Sequence, residues 1–321
     1  MKIFIHIDHF STYVGNGGFI VLTNLANELG KMGYDVYLFD PRDKLNYKML
    51  DWLSLPEVNF KITKTKDVLT SNPNDYRLIT AWLRTLPYQF RNENLRYLES
   101  SELIRKARMA EIGYLLKYNI KVANLHSHLN HYYINIGLKN IIALDVWIRS
   151  DVKFRGERFK INNCIGIQLE ARRDKIARLL SKVGIKLYKW DRYTRFRRMP
   201  IIICNGKYRE VIDKMNRSDF FIHNPQPSPH ITIFKGETFG LPLFEAMACG
   251  CICIARKHEG IKFLEGKIPL VKNMDEALEM LNYLMSNKEE KEEIRTRSIS
   301  FIEENYRFNE ERKKAIERWL E

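Results

Sequence analysis

The most constraining stretch is the first forty residues. Met1–Ile7 is a short apolar run broken only by Lys2 and His6. Gly15-Asn16-Gly17-Gly18 follows as a tight turn, and Phe19, Ile20, Val21, Leu22, Leu25, Ala26 and Leu29 then recur at helical spacing. Gly30 and Gly33 read as helix stops, and Tyr34–Phe39 as a second strand ending at Asp40-Pro41. Strand, glycine turn, helix, strand is one βαβ unit, which belongs in a parallel sheet covered by helices on both faces. All-helical and all-antiparallel folds are excluded from this end of the chain.

The grammar returns in the second half. Cys164–Leu169 reads as a strand and Arg172–Lys182 as a basic helix ending at Gly184. Ile185–Trp190, Pro200–Cys204, Asp219–His223 and Cys251–Ala255 read as strands, with helices at Tyr208–Met215 and Leu243–Ala248. From Met274 the chain is helical, ending in an amphipathic segment with Ile316, Trp319 and Leu320. Between the two series only Ser101–Leu116 (helix) and Ile120–Leu125 (strand) are legible. With 321 residues, 45% of them hydrophobic, there is material for two cores. The expected domains are 1–150 and 151–303, with 304–321 as a C-terminal helix that can cross back to the first.

Charge narrows the partners. The formal net charge is +14, and residues 153–210 hold 17 Lys and Arg against five acids, a local net of +12. The densest part is Arg192-Tyr193-Thr194-Arg195-Phe196-Arg197-Arg198. Three readings stand for this segment: a solvated helix plus diphosphate contacts, docking on anionic lipid, or contact with a nucleic-acid backbone. The five cysteines include no C-x-x-C, and Cys249, Cys251 and Cys253 alternate as they would along one face of a strand. Neither a signal peptide nor a membrane span is expected from the apolar runs. The expected location is cytoplasmic, with peripheral contact to the inner face of a membrane as an option. Gly15-x-Gly17-Gly18 is no dinucleotide fingerprint, because Ile stands at position 20. Gly260–Lys267 has the wrong spacing for a P-loop.

The most specific string is Gly236-Glu237-Thr238-Phe239-Gly240-Leu241-Pro242-Leu243-Phe244-Glu245-Ala246-Met247-Ala248-Cys249-Gly250. Two glutamates stand eight apart around a turn, with a helix starting at Pro242, a residue favoured in a first turn. The N–H groups of Gly240 and Leu241 are placed for an anion at the positive helix end. The carboxylates of Glu237 and Glu245 can accept hydrogen bonds from sugar hydroxyls and a ribose diol. This string resembles the retaining GT-B glycosyltransferases of the glycosyl transferases group 1 family, with Thr238 in place of the usual glycine or serine. Asp219–Pro225 resembles the strand before that motif, and the glycine turn with Gly33-Tyr34-Asp35-Val36 resembles the family's opening unit.

The resemblance implies a GT-B architecture, two Rossmann-like doubly wound domains facing across a cleft. It implies transfer of a sugar from a nucleotide-sugar to an acceptor hydroxyl with retention, needing neither cofactor nor metal. It assigns the donor sugar to Glu237, the sugar or diphosphate to the backbone at Thr238, Phe239, Gly240 and Leu241, and the ribose to Glu245. Gly17 and Gly18 would let the backbone approach the phosphates. Arg173 and Lys175 are chosen to balance charge on the leaving diphosphate, although the family's R-x-x-x-x-K spacing is absent. His128, in Leu125-His126-Ser127-His128, matches the family histidine near the acceptor and donor sugar. A rival reading groups His126, His128 and His131 as metal ligands. The acceptor stays open among a glycan, a lipid-linked glycan and nucleic acid. The competing function is nucleic-acid binding on a transferase-like scaffold, or glycosylation of modified DNA bases.

Overall fold

The computed structural model describes residues 1–7, 17–99, 109–156, 165–167, 201–203, 207–223 and 240–321. They divide into two compact units. One is built of Met1–Asp151 and Tyr306–Glu321, the other of Val152–Gln226 and Gly240–Asn305.

The N-terminal unit carries a parallel sheet of β1 (Lys2–His6), β2 (Asp35–Phe39), β3 (Lys61–Ile62), β4 (Tyr76–Thr80), β5 (Leu95–Glu99), β6 (Lys121–Asn124) and β7 (Ile141–Ala143). Its order is β3-β2-β1-β4-β5-β6-β7. β1 is buried on both faces from Ile3 to His6, as a central parallel strand between helical layers must be. The helix Gly17–Lys31 buries Phe19, Leu22, Leu25, Ala26 and Leu29. It stops at Gly33, whose φ of +89° lets Gly33 N–H reach Gly30 O and Tyr34 N–H reach Leu29 O.

Two expectations change here. Gly17 and Gly18 form the first turn of the helix, where the sequence suggested a loop before it. Gly30 is not the stop itself but lies in the helix's last turn, one residue before its end at Lys31. A Cβ there would stand 1.8 Å from Asn59 O, so only glycine admits the segment crossing above it.

The C-terminal unit has β8 (Ile165–Ile167), β9 (Ile201–Ile203), β10 (Phe220–His223), β11 (Ile252–Arg256) and β12 (Leu270–Val271) in the order β12-β11-β10-β8-β9, again parallel. Phe220, Ile222, Ile252 and Ile254 meet Ala277, Leu281, Leu284 and Ile294 from the helices Met274–Ser286 and Lys288–Asn305. Asn273 caps the first of these by accepting from Glu276 N–H at 3.0 Å. The three alternating cysteines do not share a strand face. Cys249 ends the helix Leu241–Ala248, Gly250 turns the chain at φ +78°, and only Cys253 lies within β11. The buried thiols face different partners: Cys251 Sγ donates to Met215 O, and Cys249 Sγ accepts from Asn216 Nδ2.

The helix Glu310–Leu320 packs in the N-terminal unit, burying Ile316, Trp319 and Leu320. Its last carbonyls are taken by cations from the sheet. Arg96 Nε donates to Trp319 O at 2.7 Å, Arg77 Nε to Leu320 O at 2.8 Å and Lys121 Nζ to Arg318 O at 3.0 Å. Positive groups at the C-terminal end of a helix satisfy orphan carbonyls and oppose its dipole.

Candidate functional site

In open parallel sheets, ligands collect at the carboxyl ends of the strands where the strand order reverses. The N-terminal sheet reverses between β1 and β4, the C-terminal sheet between β8 and β10. Each helix that joins two parallel neighbours starts at that carboxyl edge. The glycines of Gly17–Lys31, Tyr208 at the head of Tyr208–Asn216, and Gly240 ahead of Leu241–Ala248 therefore lie on the edges where ligand chemistry is expected.

In the N-terminal unit, His6 and Thr80 end β1 and β4 in register, and His6 Nδ1 lies 2.8 Å from Thr80 Oγ1. Trp82 N–H also donates to Thr80 Oγ1, at 3.0 Å. Burial pulls the His6 pKa down to about 3, so the ring is neutral, and its Nε2 has no hydrogen-bond partner among the described residues. At the end of β6 the side chain of Asn124 organises the turn: Nδ2 donates to His126 O and Asn130 Oδ1, and Oδ1 accepts from His126 N–H. Ser127 N–H is held by Asp145 Oδ1 at 2.8 Å.

His128 sits in this turn, Ser127–Leu129, half-buried. Burial lowers its pKa, with Asp145 opposing and His131 adding to the shift. A neutral imidazole can accept or donate a hydrogen bond to a hydroxyl. The metal reading of His126, His128 and His131 is not realised, since among the described residues no three His, Cys, Asp or Glu side chains are grouped to hold an ion.

In the C-terminal unit the helix Leu241–Ala248 starts from Gly240 with Pro242 in its first turn and no side-chain cap. Glu245, one turn in, is 4% exposed, and its Oε1 accepts from the hydroxyl of Tyr208, itself buried, at 2.5 Å. Tyr208 escaped the sequence reading. The helix it heads is legible as Tyr208–Met215, but nothing local signals a partner 37 residues away.

The site residues thus fall into three groups. Gly17, Gly18 and His128 lie in the N-terminal unit, Gly240, Leu241 and Glu245 in the C-terminal one. Glu237, Thr238, Phe239, Arg173 and Lys175 lie outside the described residues, as does most of the basic segment 153–210. The structure brings Glu245 together with Tyr208, and His128 with Asp145 and His131. Sequence reasoning missed His6, Thr80, Asn124 and Asp145 as well. The polar residues inside apolar strands, His6 in KIFIHI and Asn124 in KVANL, were the available signal.

Residues 172–317 match the family model described as glycosyl transferase-like. The second half of the chain is thus similar to that family, and the chain as a whole shares the fold of solved GT-B proteins. The chain is similar along nearly its whole length to solved structures of low sequence identity. One is the lipopolysaccharide outer core galactosyltransferase WaaB in its apo form, 13% identical with a TM-score of 0.50, covering 100% of this chain and 99% of that one. Another is Phytolacca americana UGT2 complexed with UDP-2fluoro-glucose and pterostilbene, 11% identical with a TM-score of 0.56 over 99% and 98%. A third is the UDP-GlcNAc 2-epimerase from Neisseria meningitidis bound to UDP-GlcNAc, 13% identical with a TM-score of 0.51 over 100% of both chains. No curated protein matches by sequence. Among the described residues no helix is long and apolar enough to cross a membrane.

Proposed function

We propose that the protein moves a sugar from a nucleotide-sugar donor to an acceptor hydroxyl, with retention at the anomeric carbon and without a metal or cofactor. The carrying observation is the Tyr208–Glu245 pair at the carboxyl edge of the C-terminal sheet, inside the segment that matches the transferase-like family. A buried carboxylate already held by a tyrosine is pre-oriented to accept hydrogen bonds from a ribose diol.

In this reading Glu245 takes the ribose, and Gly240 and Leu241 present N–H groups to the sugar or diphosphate at the helix N-terminus. Glu237, with the backbone of Thr238 and Phe239, holds the donor sugar. Arg173 and Lys175 balance the charge that develops on the departing diphosphate. Gly17 and Gly18 admit phosphate close to the backbone, and neutral His128 contacts the acceptor or the donor sugar. The similar structures bound to UDP-2fluoro-glucose and UDP-GlcNAc support a UDP-sugar as the first donor to try.

The test is thermal stabilisation of the purified protein by a panel of nucleotide-sugars, with chelator present. A ligand that binds only the folded state raises Tm by mass action. A shift with one donor that disappears in Glu245→Ala is expected. No shift with any donor overturns the reading, and a shift that survives Glu245→Ala removes the role given to that residue. The anomeric configuration of the product, read by NMR, decides retention. The +12 segment 153–210 supports the second reading, nucleic-acid or anionic-lipid contact. Duplex DNA binding with a steep salt slope in a gel-shift titration would favour the nucleic-acid form.

A further inference from the structure

Exposed large apolar side chains are not scattered evenly. Four of the ten found among the described residues, Leu116, Tyr118, Ile134 and Ile136, fall within 21 residues of the N-terminal unit. They come from the end of the helix Met109–Lys117 and from the helix Asn130–Asn135 with the turn after it. The two elements adjoin, since a Cβ on Gly137 would stand 3.9 Å from Leu116 Cδ1. The exposed positions of the first helix are Ala110, Gly113, Leu116 and Lys117, so a single charge stands among them where a solvent-facing helix ordinarily carries several. Ile134 is 62% exposed, and leaving such a side chain in water forgoes the burial that stabilises apolar groups.

No acid occurs in the 33 residues from Ile112 to Leu144, while Lys117 and Lys139 are exposed among them. Within this stretch the exposed charge is basic, and Glu111 lies one residue before it on the same helix. Tyrosine rings sit beside the aliphatic groups: Tyr114 and Tyr118 have centroids 4.6 Å apart, and Lys117 Nζ lies 5.2 Å from the Tyr118 ring.

We propose that this face rests on the surface of an anionic lipid bilayer. Leucine and isoleucine tips enter the interface, tyrosine rings settle at headgroup level, and lysines on flexible stems reach the phosphates. The absence of carboxylates from 112–144 limits the repulsion that would oppose such contact, Glu111 being the acid of the same helix. A second copy of this chain fits less well, because a self-complementary contact would bring this patch against itself, Lys117 and Lys139 facing their own copies. The helix Met109–Lys117 runs from the carboxyl edge of the sheet to its amino edge, so Leu116 and Tyr118 lie away from the edge that bears His6 and His128. Bilayer contact here leaves that edge open to solvent.

Co-sedimentation of the full chain with vesicles of phosphatidylcholine, alone and mixed with phosphatidylglycerol, tests this. The chain is expected to bind the mixed vesicles and to bind the neutral ones weakly. Leu116→Glu with Ile134→Glu should reduce binding roughly 100-fold with Tm unchanged. Lys117→Glu with Lys139→Glu should reduce it by about tenfold and abolish the preference for anionic vesicles. This second pair decides the matter if the first fails to fold. Nucleotide-sugar stabilisation should be the same in all variants, which separates this inference from the transferase reading. Absence of binding to either vesicle overturns the proposal. Undiminished binding by folded variants also overturns it and moves the contact to the basic segment 153–210. A concentration-dependent dimer that Leu116→Glu with Ile134→Glu dissociates overturns it in favour of self-association.

Discussion

Each unit buries one glutamate against one tyrosine. In the N-terminal unit Glu99 ends β5 and its Oε1 accepts from Tyr133 at 3.0 Å, both side chains 0% exposed. In the C-terminal unit Glu245 takes the bond from Tyr208, at 2.5 Å. The pairs look alike chemically and differ in their carriers. Glu99 belongs to an interior strand of a seven-stranded sheet, all five of whose residues are buried. Glu245 belongs to the first turns of a helix whose N-terminus meets the carboxyl edge, and Tyr208 heads a second helix packed on it. Glu99 also stands at the carboxyl edge of its sheet, in register with Asn124. A strand carries it, however, and it lies outside the residues that match the family model. A carboxyl placed beside a helix N-terminus can serve a ligand at small displacement. The Glu99 pair therefore sets the background against which any functional claim for Glu245 has to stand out.

The largest expected effect separates the two. Glu245→Ala should weaken donor binding by at least ~100-fold, since two hydrogen bonds to a charged acceptor are lost at about 1.5–3 kcal/mol each. Glu99→Ala should leave the donor-induced Tm shift intact while costing about 3 kcal/mol of stability, from the orphaned Tyr133 hydroxyl and the cavity. Urea titration and donor titration of both variants check this. Equal donor affinity in the two would erase the distinction.

The tyrosines sharpen it. Tyr133→Phe and Tyr208→Phe should each cost about 1–2 kcal/mol in urea titration, the value of one buried hydrogen bond to a carboxyl. Only Tyr208→Phe should also raise donor Kd, by about tenfold, because it loosens the acid that receives the ribose. Isothermal titration of both variants decides. A Tyr208→Phe variant with parental Kd would show that Glu245 needs no orientation.

The sequence made one member of these pairs conspicuous and hid the rest. Glu245 stood inside a specific string, and the helix around it was legible because Pro242 opens it and apolar residues fill it. The strands β1, β2, β6, β10 and β11 were legible because parallel strands buried on both faces are continuous apolar runs. β4 and β5 were not, since Arg77 and Arg96 interrupt YRLIT and LRYLE. Arg96 is 6% exposed within its strand because the carbonyls of Trp319 and Leu320, 223 and 224 residues away, receive its N–H groups. No local pattern encodes that. Gly30 misled for the same reason: its constraint is Asn59 crossing the helix, and a glycine before Lys31-Met32-Gly33 looks like a stop. The cysteines misled because the helix end at Cys249 and the positive φ of Gly250 break the strand alternation.

The smallest effect concerns His6, a neutral ring at the end of β1, where Glu245 is an acid beside a helix N-terminus. Its pKa is about 3 when folded, against 6.5 for an ordinary histidine, because burial disfavours the imidazolium. As pH falls below 6.5 the unfolded chain binds a proton that the folded chain refuses. Stability linked to His6 is thus fully present above pH 6.5 and is lost progressively toward pH 3, at no more than about 1.4 kcal/mol per pH unit. His6→Asn removes the titrating group and keeps a side chain able to bond Thr80 Oγ1. Urea midpoints measured from pH 7.5 to 4.5 should therefore fall less steeply in the variant than in the parent. Parallel curves would mean that the parent accommodates a charged ring at this edge, and the contrast with Glu245 would then rest on hydrogen bonding alone.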